Sequence, residues 1–179
     1  MFVAYSLRRC VVAVNCIFMI TKDRILELLD YVKDPEIPAI NVLELGVVRQ
    51  VEVEADGKAI VTITPTYTGC PAMDVMAADI KKELLEAGVP AVEVRMSLSP
   101  AWTTDWITET GKRKLKEYGI APPEKTADIR ALKGEQPVVA CPQCGSTHTT
   151  ETSPFGSTAC KSMYRCLACL EPFDYFKPY

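Results

Sequence analysis

Two short cysteine pairs, Cys141-Pro142-Gln143-Cys144 and Cys166-Leu167-Ala168-Cys169, stand twenty-one residues apart in this 179-residue chain. A CxxC turn aims two thiolates at one point, and two such turns on facing hairpins complete a four-thiolate shell with no position left for a substrate. The pattern predicts a structural metal site with Cys141, Cys144, Cys166 and Cys169 as ligands and zinc as the metal, or iron held in the same four thiolates. From Cys141 to Tyr179 there are thirty-nine residues, near the lower limit for a unit without a staple. Metal binding and folding of this ribbon are therefore expected to be one event. The competing account of the spacing is a pair of disulfides or coincidence. Eight cysteines, four of them in a metal pattern, suit a reducing cytoplasm better than a secreted disulfide framework.

The remaining chain has room for one domain of about 100 residues. A hydrophobic content of 48% and a mean hydropathy of +0.06 are enough for a core. A net charge of −3 and a pI near 5.3 give no electrostatic support for nucleic-acid binding. Residues 1–18 form a doubtful N-terminal extension, in which Arg8 and Arg9 precede an apolar run in the manner of a signal peptide. That run of about eleven residues is too short to span a bilayer. It has no small-residue cleavage site, and export would conflict with the thiolate cluster, so Met19 reads as the natural start and no membrane association is expected.

From Thr21 onward the periodicities predict an α+β domain over residues 19–120. Thr21 can cap a helix whose apolar positions Ile25, Leu28, Leu29 and Val32 make one buried face ending before Asp34-Pro35. Residues 47–54 and 58–64 read as antiparallel strands around the Asp56-Gly57 turn. A second helix carries Met73, Met76, Ala77, Ile80 and Leu84 on one stripe and stops at Gly88 and Pro90. Val92, Val94, Met96 and Leu98 then alternate with polar residues as a strand buried on one face. The order αββαβ implies a sheet covered on one face by both helices. A third helix over 108–118, stopped by Gly119, carries Lys112, Arg113, Lys114 and Lys116, read as a solvated face ahead of a partner-binding patch. Residues 121–140 read as a linker to the zinc ribbon over 141–179.

Three loops of the first domain carry the chemistry. Asp34-Pro35-Glu36-Ile37-Pro38 is a stiff turn presenting two carboxylates, or simply a helix-ending turn. Thr66-Tyr67-Thr68-Gly69-Cys70-Pro71 puts Cys70 at a predicted N-cap and Pro71 at the first helical position. Unpaired N–H groups there would lower the Cys70 pKa and make it nucleophilic or metal-binding; the alternative is a small capping residue. The third loop, Ser99 to Trp106, brings Trp102 and Trp106 together as a core plug or, the reading preferred here, an interface anchor.

The motifs DPEIP at 34–38, TPTYTGCPA at 64–72, PAWTTDW at 100–106, FGSTACKSMYRC at 155–166 and EPFDYF at 171–176 resemble the phenylacetate-degradation family PaaD, also called PaaJ. The resemblance runs from about residue 21 to 177, and the first domain is similar to the wider SufT-like family of iron–sulfur assembly domains. It implies an accessory protein of the phenylacetyl-CoA 1,2-epoxidase system, whose partners are the oxygenase and reductase components and whose role is maturation of their metal centres. It further implies that Cys70 is the reactive, metal-transfer cysteine, holding iron or an iron–sulfur cluster transiently, with Asp34 and Glu36 as the acidic turn and a second protomer as another source of ligands. Cys160, outside either knuckle, reads as packing or a fallback ligand.

The residues argue against oxygenation by this chain itself, because a di-iron carboxylate site needs Glu-x-x-His pairs and the single histidine is His148 in the ribbon. No GxGxxG or Walker motif is present. A metallochaperone is the preferred reading, followed by a non-catalytic docking subunit of the epoxidase. A thiol-redox enzyme comes last, since Cys70 has no CxxC partner.

Overall fold

The structure, a computed structural model, describes residues 20–123 and 137–178. The proposed extension 1–18 and the middle of the predicted linker lie outside the described residues. Thr21 accepts a hydrogen bond from the Arg24 N–H and so caps helix α1, Lys22–Leu29, which buries Ile25, Leu28 and Leu29. Strands β1 (Val48–Val53) and β2 (Ala59–Ile63) form the predicted antiparallel hairpin. Helix α2 (Ala72–Glu86) then crosses over so that β3 (Val92–Met96) pairs parallel with β2. Strand order β1-β2-β3 puts β2 in the centre, which is why every residue of it except Thr62 is buried. The edge strand is less covered than its alternation implies: Val92 and Val94 are half-buried, while Met96 and Leu98 are exposed.

After a single 3-10 turn, Thr104–Trp106, Thr108 caps helix α3, Glu109–Glu117, and Gly119 ends it with a φ of 93°. Helix α3 lies close against the loop 41–46, because a Cβ at Gly111 would come within 2.8 Å of the Glu44 carbonyl oxygen. The same loop is tied internally. Asn41, fully buried, accepts from the N–H groups of Leu43 and Glu44 and donates to the Asp30 carboxylate at 2.6 Å. Lys114 of α3 donates to Glu44, so this member of the basic cluster holds the helix in place instead of serving a solvated face.

The ribbon is a second sheet in which β5 (Thr149–Ser153), β6 (Lys161–Cys166) and β7 (Pro172–Phe176) run antiparallel. Its fourth strand comes from the end of the first domain. Strand β4, Ile120–Ala121, pairs parallel with β7 and gives the order β4-β7-β6-β5. The predicted linker is thus partly built into the ribbon, where Ala121 and Val139 are buried with Tyr164, Phe173 and Tyr175. Contact runs the other way as well. Phe176, 1% exposed, and Cys160 pack in the first domain's core, with the Phe176 ring centroid 6.1 Å from that of Trp102.

Trp102 is 5% exposed and its indole N–H donates to the Leu45 carbonyl at 3.1 Å. This corrects the interface reading for Trp102. It plugs the junction, a placement set by a ring about seventy residues downstream that no local pattern reveals. Trp106 is half-buried beneath the Arg49 guanidinium, which lies 3.3 Å from its ring centroid. Phe176→Ala is expected to cost about 3 kcal/mol or more, because it empties a filled site in a well-packed core. Since Trp102 sits against that site, chemical denaturation followed by tryptophan fluorescence should report the loss; a wild-type midpoint would contradict this packing.

Candidate functional site

The four ribbon cysteines converge. Their sulfurs all lie within 4.8 Å of one another, with Cys141 to Cys169 at 3.8 Å and Cys144 to Cys166 at 3.6 Å. Zinc–sulfur bonds of about 2.3 Å in a tetrahedron require sulfur–sulfur edges of about 3.8 Å, so this donor set fits such an ion. Backbone N–H groups of Cys169 and Ala168 point at the Cys166 sulfur and favour its thiolate. Gly145, with a φ of 76°, and Leu170, with a φ of 68°, turn the chain immediately after each knuckle. Cys160 cannot join this shell. It precedes β6 while Cys166 ends it, a separation of about 20 Å at about 3.3 Å per residue. The fallback-ligand reading for Cys160 is corrected on that ground.

The second group of reactive side chains surrounds the start of α2. Cys70 lies one residue further out than expected, with Pro71 at the N-cap position. The Ala72 N–H and the Tyr67 hydroxyl near its sulfur both favour the thiolate. Burial outweighs them, and the nearby Glu36 and Asp34 carboxylates add to it, so the Cys70 thiol is pushed up and not down. The expected lowering fails because desolvation of the half-buried thiol itself outweighs the donors at the start of the helix. Tyr67 responds in kind: burial first, then the neighbouring Cys70, pushes its hydroxyl up to about 12.

The acidic turn is built around Asp34, whose Oδ1 accepts from the N–H groups of Glu36 and Ile37, each at 2.7 Å. Asp34 is 5% exposed, and burial raises its pKa against those two hydrogen bonds. One carboxylate oxygen therefore orders the loop, and Glu36 is the half-buried acid that the loop presents. The Glu36 carboxyl is raised by burial and by Asp34, and lowered by Lys161 of the ribbon. Lys161, 4% exposed, pairs with Asp174 at 3.3 Å and sets a buried positive charge opposite the acidic turn. Sequence reasoning did not anticipate Lys161 or Tyr67. The clues were that Lys161 directly follows Cys160, and that Tyr67 shares a loop with Cys70, in motifs already noted.

Beside this group a cleft of about 370 Å³ is lined by Thr64, Thr66, Tyr67, Leu98 and Trp102 among others. The Thr64 hydroxyl is buried there without a hydrogen-bond partner. No helix among the described residues is long and apolar enough to cross a membrane.

Fold and site together define a two-part metal-binding protein: an α+β domain with a thiol before its second helix, joined to a four-cysteine ribbon. Comparison with known proteins sharpens this. A family model described as an iron–sulfur cluster assembly protein matches residues 22–96, and one described as the PaaD zinc beta ribbon domain matches residues 125–177. The chain is 47% identical over 150 residues to a putative 1,2-phenylacetyl-CoA epoxidase subunit, the D component, of Escherichia coli K12, a match covering 84% of this chain and 88% of that protein. The chain belongs to this PaaD family of epoxidase subunits. It is also 36% identical over 99 residues to an Fe-S protein maturation auxiliary factor of Porphyromonas gingivalis, covering 55% of this chain and 93% of that one. A crystal structure of a DUF59 domain from Bacillus anthracis is similar at 28% identity and a TM-score of 0.49, covering 52% of this chain and 89% of that chain.

Two outcomes follow from this geometry. Stripping the ribbon metal with a strong chelator should melt β5 to β7 and also lower the thermal stability of the first domain, whose core holds Phe176 and Cys160. Circular dichroism with and without chelator checks this; an unshifted first-domain transition would contradict it. Cys70 should react slowly with iodoacetamide at pH 7 and faster as pH rises past the usual thiol range. Glu36→Gln, by removing a negative charge that disfavours the thiolate, should speed this reaction severalfold at fixed pH, as read by mass spectrometry.

Proposed function

We propose that this protein is a non-catalytic accessory factor that helps to assemble iron or iron–sulfur centres in the oxygenase or reductase component of a phenylacetyl-CoA epoxidase. Two relatives support the two halves of this reading. The Escherichia coli relative carries the epoxidase name, and the Porphyromonas gingivalis relative is named for maturation of Fe-S proteins. The observation that carries it is the position of Cys70, half-buried beside the Glu36 and Asp34 carboxylates in the domain that matches the assembly family.

Iron is the cargo in this reading. The Cys70 thiol keeps its proton while the site waits, because burial and the two acids disfavour the thiolate. An arriving cation reverses the balance: the proton leaves to solvent, the sulfur binds the metal, and Glu36 offers a carboxylate from the facing turn. Asp34 positions that turn through its two backbone hydrogen bonds. So small a ligand set binds weakly, which suits a carrier more than a store. The ribbon cysteines in this reading hold a structural zinc, whose closed shell keeps it out of the transfer. A docking role through the tryptophans has less support, since Trp102 is buried and the Trp106 ring is covered by Arg49.

Iron content decides between these readings. Oxygenase and reductase components purified from cells lacking this protein should contain less iron in one of the two, and Cys70→Ala should reproduce that loss while keeping wild-type circular dichroism. A fully iron-loaded partner in cells carrying Cys70→Ala would rule out transfer through this thiol.

A further inference from the structure

The cleft between the loops that leave β2 and β3 has no part in the function proposed above. The two strands run parallel and end side by side, with the Ser97 N–H donating to the Ile63 carbonyl at 2.8 Å. Past that bond one loop leads to α2 and the other to Trp102, and the space of about 370 Å³ is lined by both. Small ligands favour the carboxyl ends of parallel strands, because diverging loops leave a crevice there. Exposure falls from 62% at Leu98 to 1% at Thr64, so Leu98 stands at the rim and Thr64 at the base. The Thr64 N–H is committed to the Val47 carbonyl at 2.8 Å. Its hydroxyl is not: among the described residues it is the one buried side-chain polar atom without a hydrogen-bond partner. Such a group is destabilising until a water or a ligand completes it.

The lining also selects what can enter. Among the described residues that line the cleft none is charged, so an ion would shed its water without gaining a counter-charge. Trp102 has given its N–H to Leu45 and offers ring carbon, which with Leu98 and Ala101 makes an apolar wall. A carbonyl suits the base well, because its oxygen accepts a hydrogen bond and brings no unpaired donor with it. We propose that this cleft binds a small uncharged carbonyl compound with an aromatic or aliphatic body, its carbonyl oxygen accepting from the Thr64 hydroxyl. The body lies against Trp102 and Leu98, and no bond is made or broken. This site stands apart from Cys70, which does not line the cleft.

The test uses the full chain with a zinc-loaded ribbon, titrated with acetophenone, benzoate and toluene. The backbone amide NMR signals of Thr64, Thr66, Leu98 and Trp102 are followed. Acetophenone should shift all four saturably and bind at least tenfold more tightly than benzoate. Thr64→Val removes the hydroxyl at nearly the same shape. It should weaken acetophenone at least fivefold, leave toluene unchanged, and unfold no more easily than wild type. Unchanged acetophenone affinity in Thr64→Val overturns the proposal, as does benzoate binding as tightly as acetophenone. If none of the three compounds moves these signals, the hydroxyl is met by water alone and the site is ruled out. Should Thr64→Val fail to fold, Leu98→Ala at the exposed rim carries the test. It should weaken acetophenone and toluene alike, and unchanged binding of both overturns the cleft as the place where they bind.

Discussion

The contact of Phe176 with Trp102 is the hinge of this molecule's construction. Phe176 is the last residue of β7, a strand paired on one side with β6 and on the other with β4, which is the tail of the first domain. Its ring fills the first domain's core, and the Trp102 ring beside it is anchored to the Leu45 carbonyl. The metal knuckles order β6 and β7, β7 delivers the phenyl ring, and the ring seats the tryptophan loop. Thirty-nine residues of ribbon have too little apolar surface to fold by themselves, and sharing a core with the larger domain compensates for that shortage as the metal does.

The electrostatics of the junction follow from the same arrangement. Burying Asp34, Glu36, Cys70 and Cys160 near one another disfavours every one of their charged forms, and Lys161 is the ribbon's answer to the acids. The cysteine before α2 is consequently protonated at neutral pH even though the nearby Ala72 N–H and Tyr67 hydroxyl favour its thiolate. A helix terminus activates a thiol only when water can also reach the anion; where burial dominates, the activating agent has to bring positive charge with it.

What could be read along the chain was whatever local chemistry decides. Thr21 and Thr108 cap their helices because their hydroxyls reach the N–H three residues on, and Gly119 stops α3 because it accepts a positive φ. The four ribbon ligands were legible from spacing, since two short turns suffice to aim two thiolates each. Misreadings fell where distant segments meet. Trp102 could not be assigned to the core without Phe176, Ala121 could not be seen as a strand because two residues have no period, and the Cys70 pKa changed sign through burial. Lys114 looked solvated until Glu44 was placed beside it.

The partition of β7 between two cores also bears on how the protein is made. Domains ordinarily fold as they leave the ribosome, the N-terminal one first. Here the first domain's sheet and helices emerge early, but the phenyl ring that completes their core is synthesised long afterwards, behind the whole ribbon. The nascent first domain must therefore wait with its tryptophan loop unseated. Closing that core therefore depends on the ribbon, a unit in which four gathered thiols are suited to couple folding to metal binding.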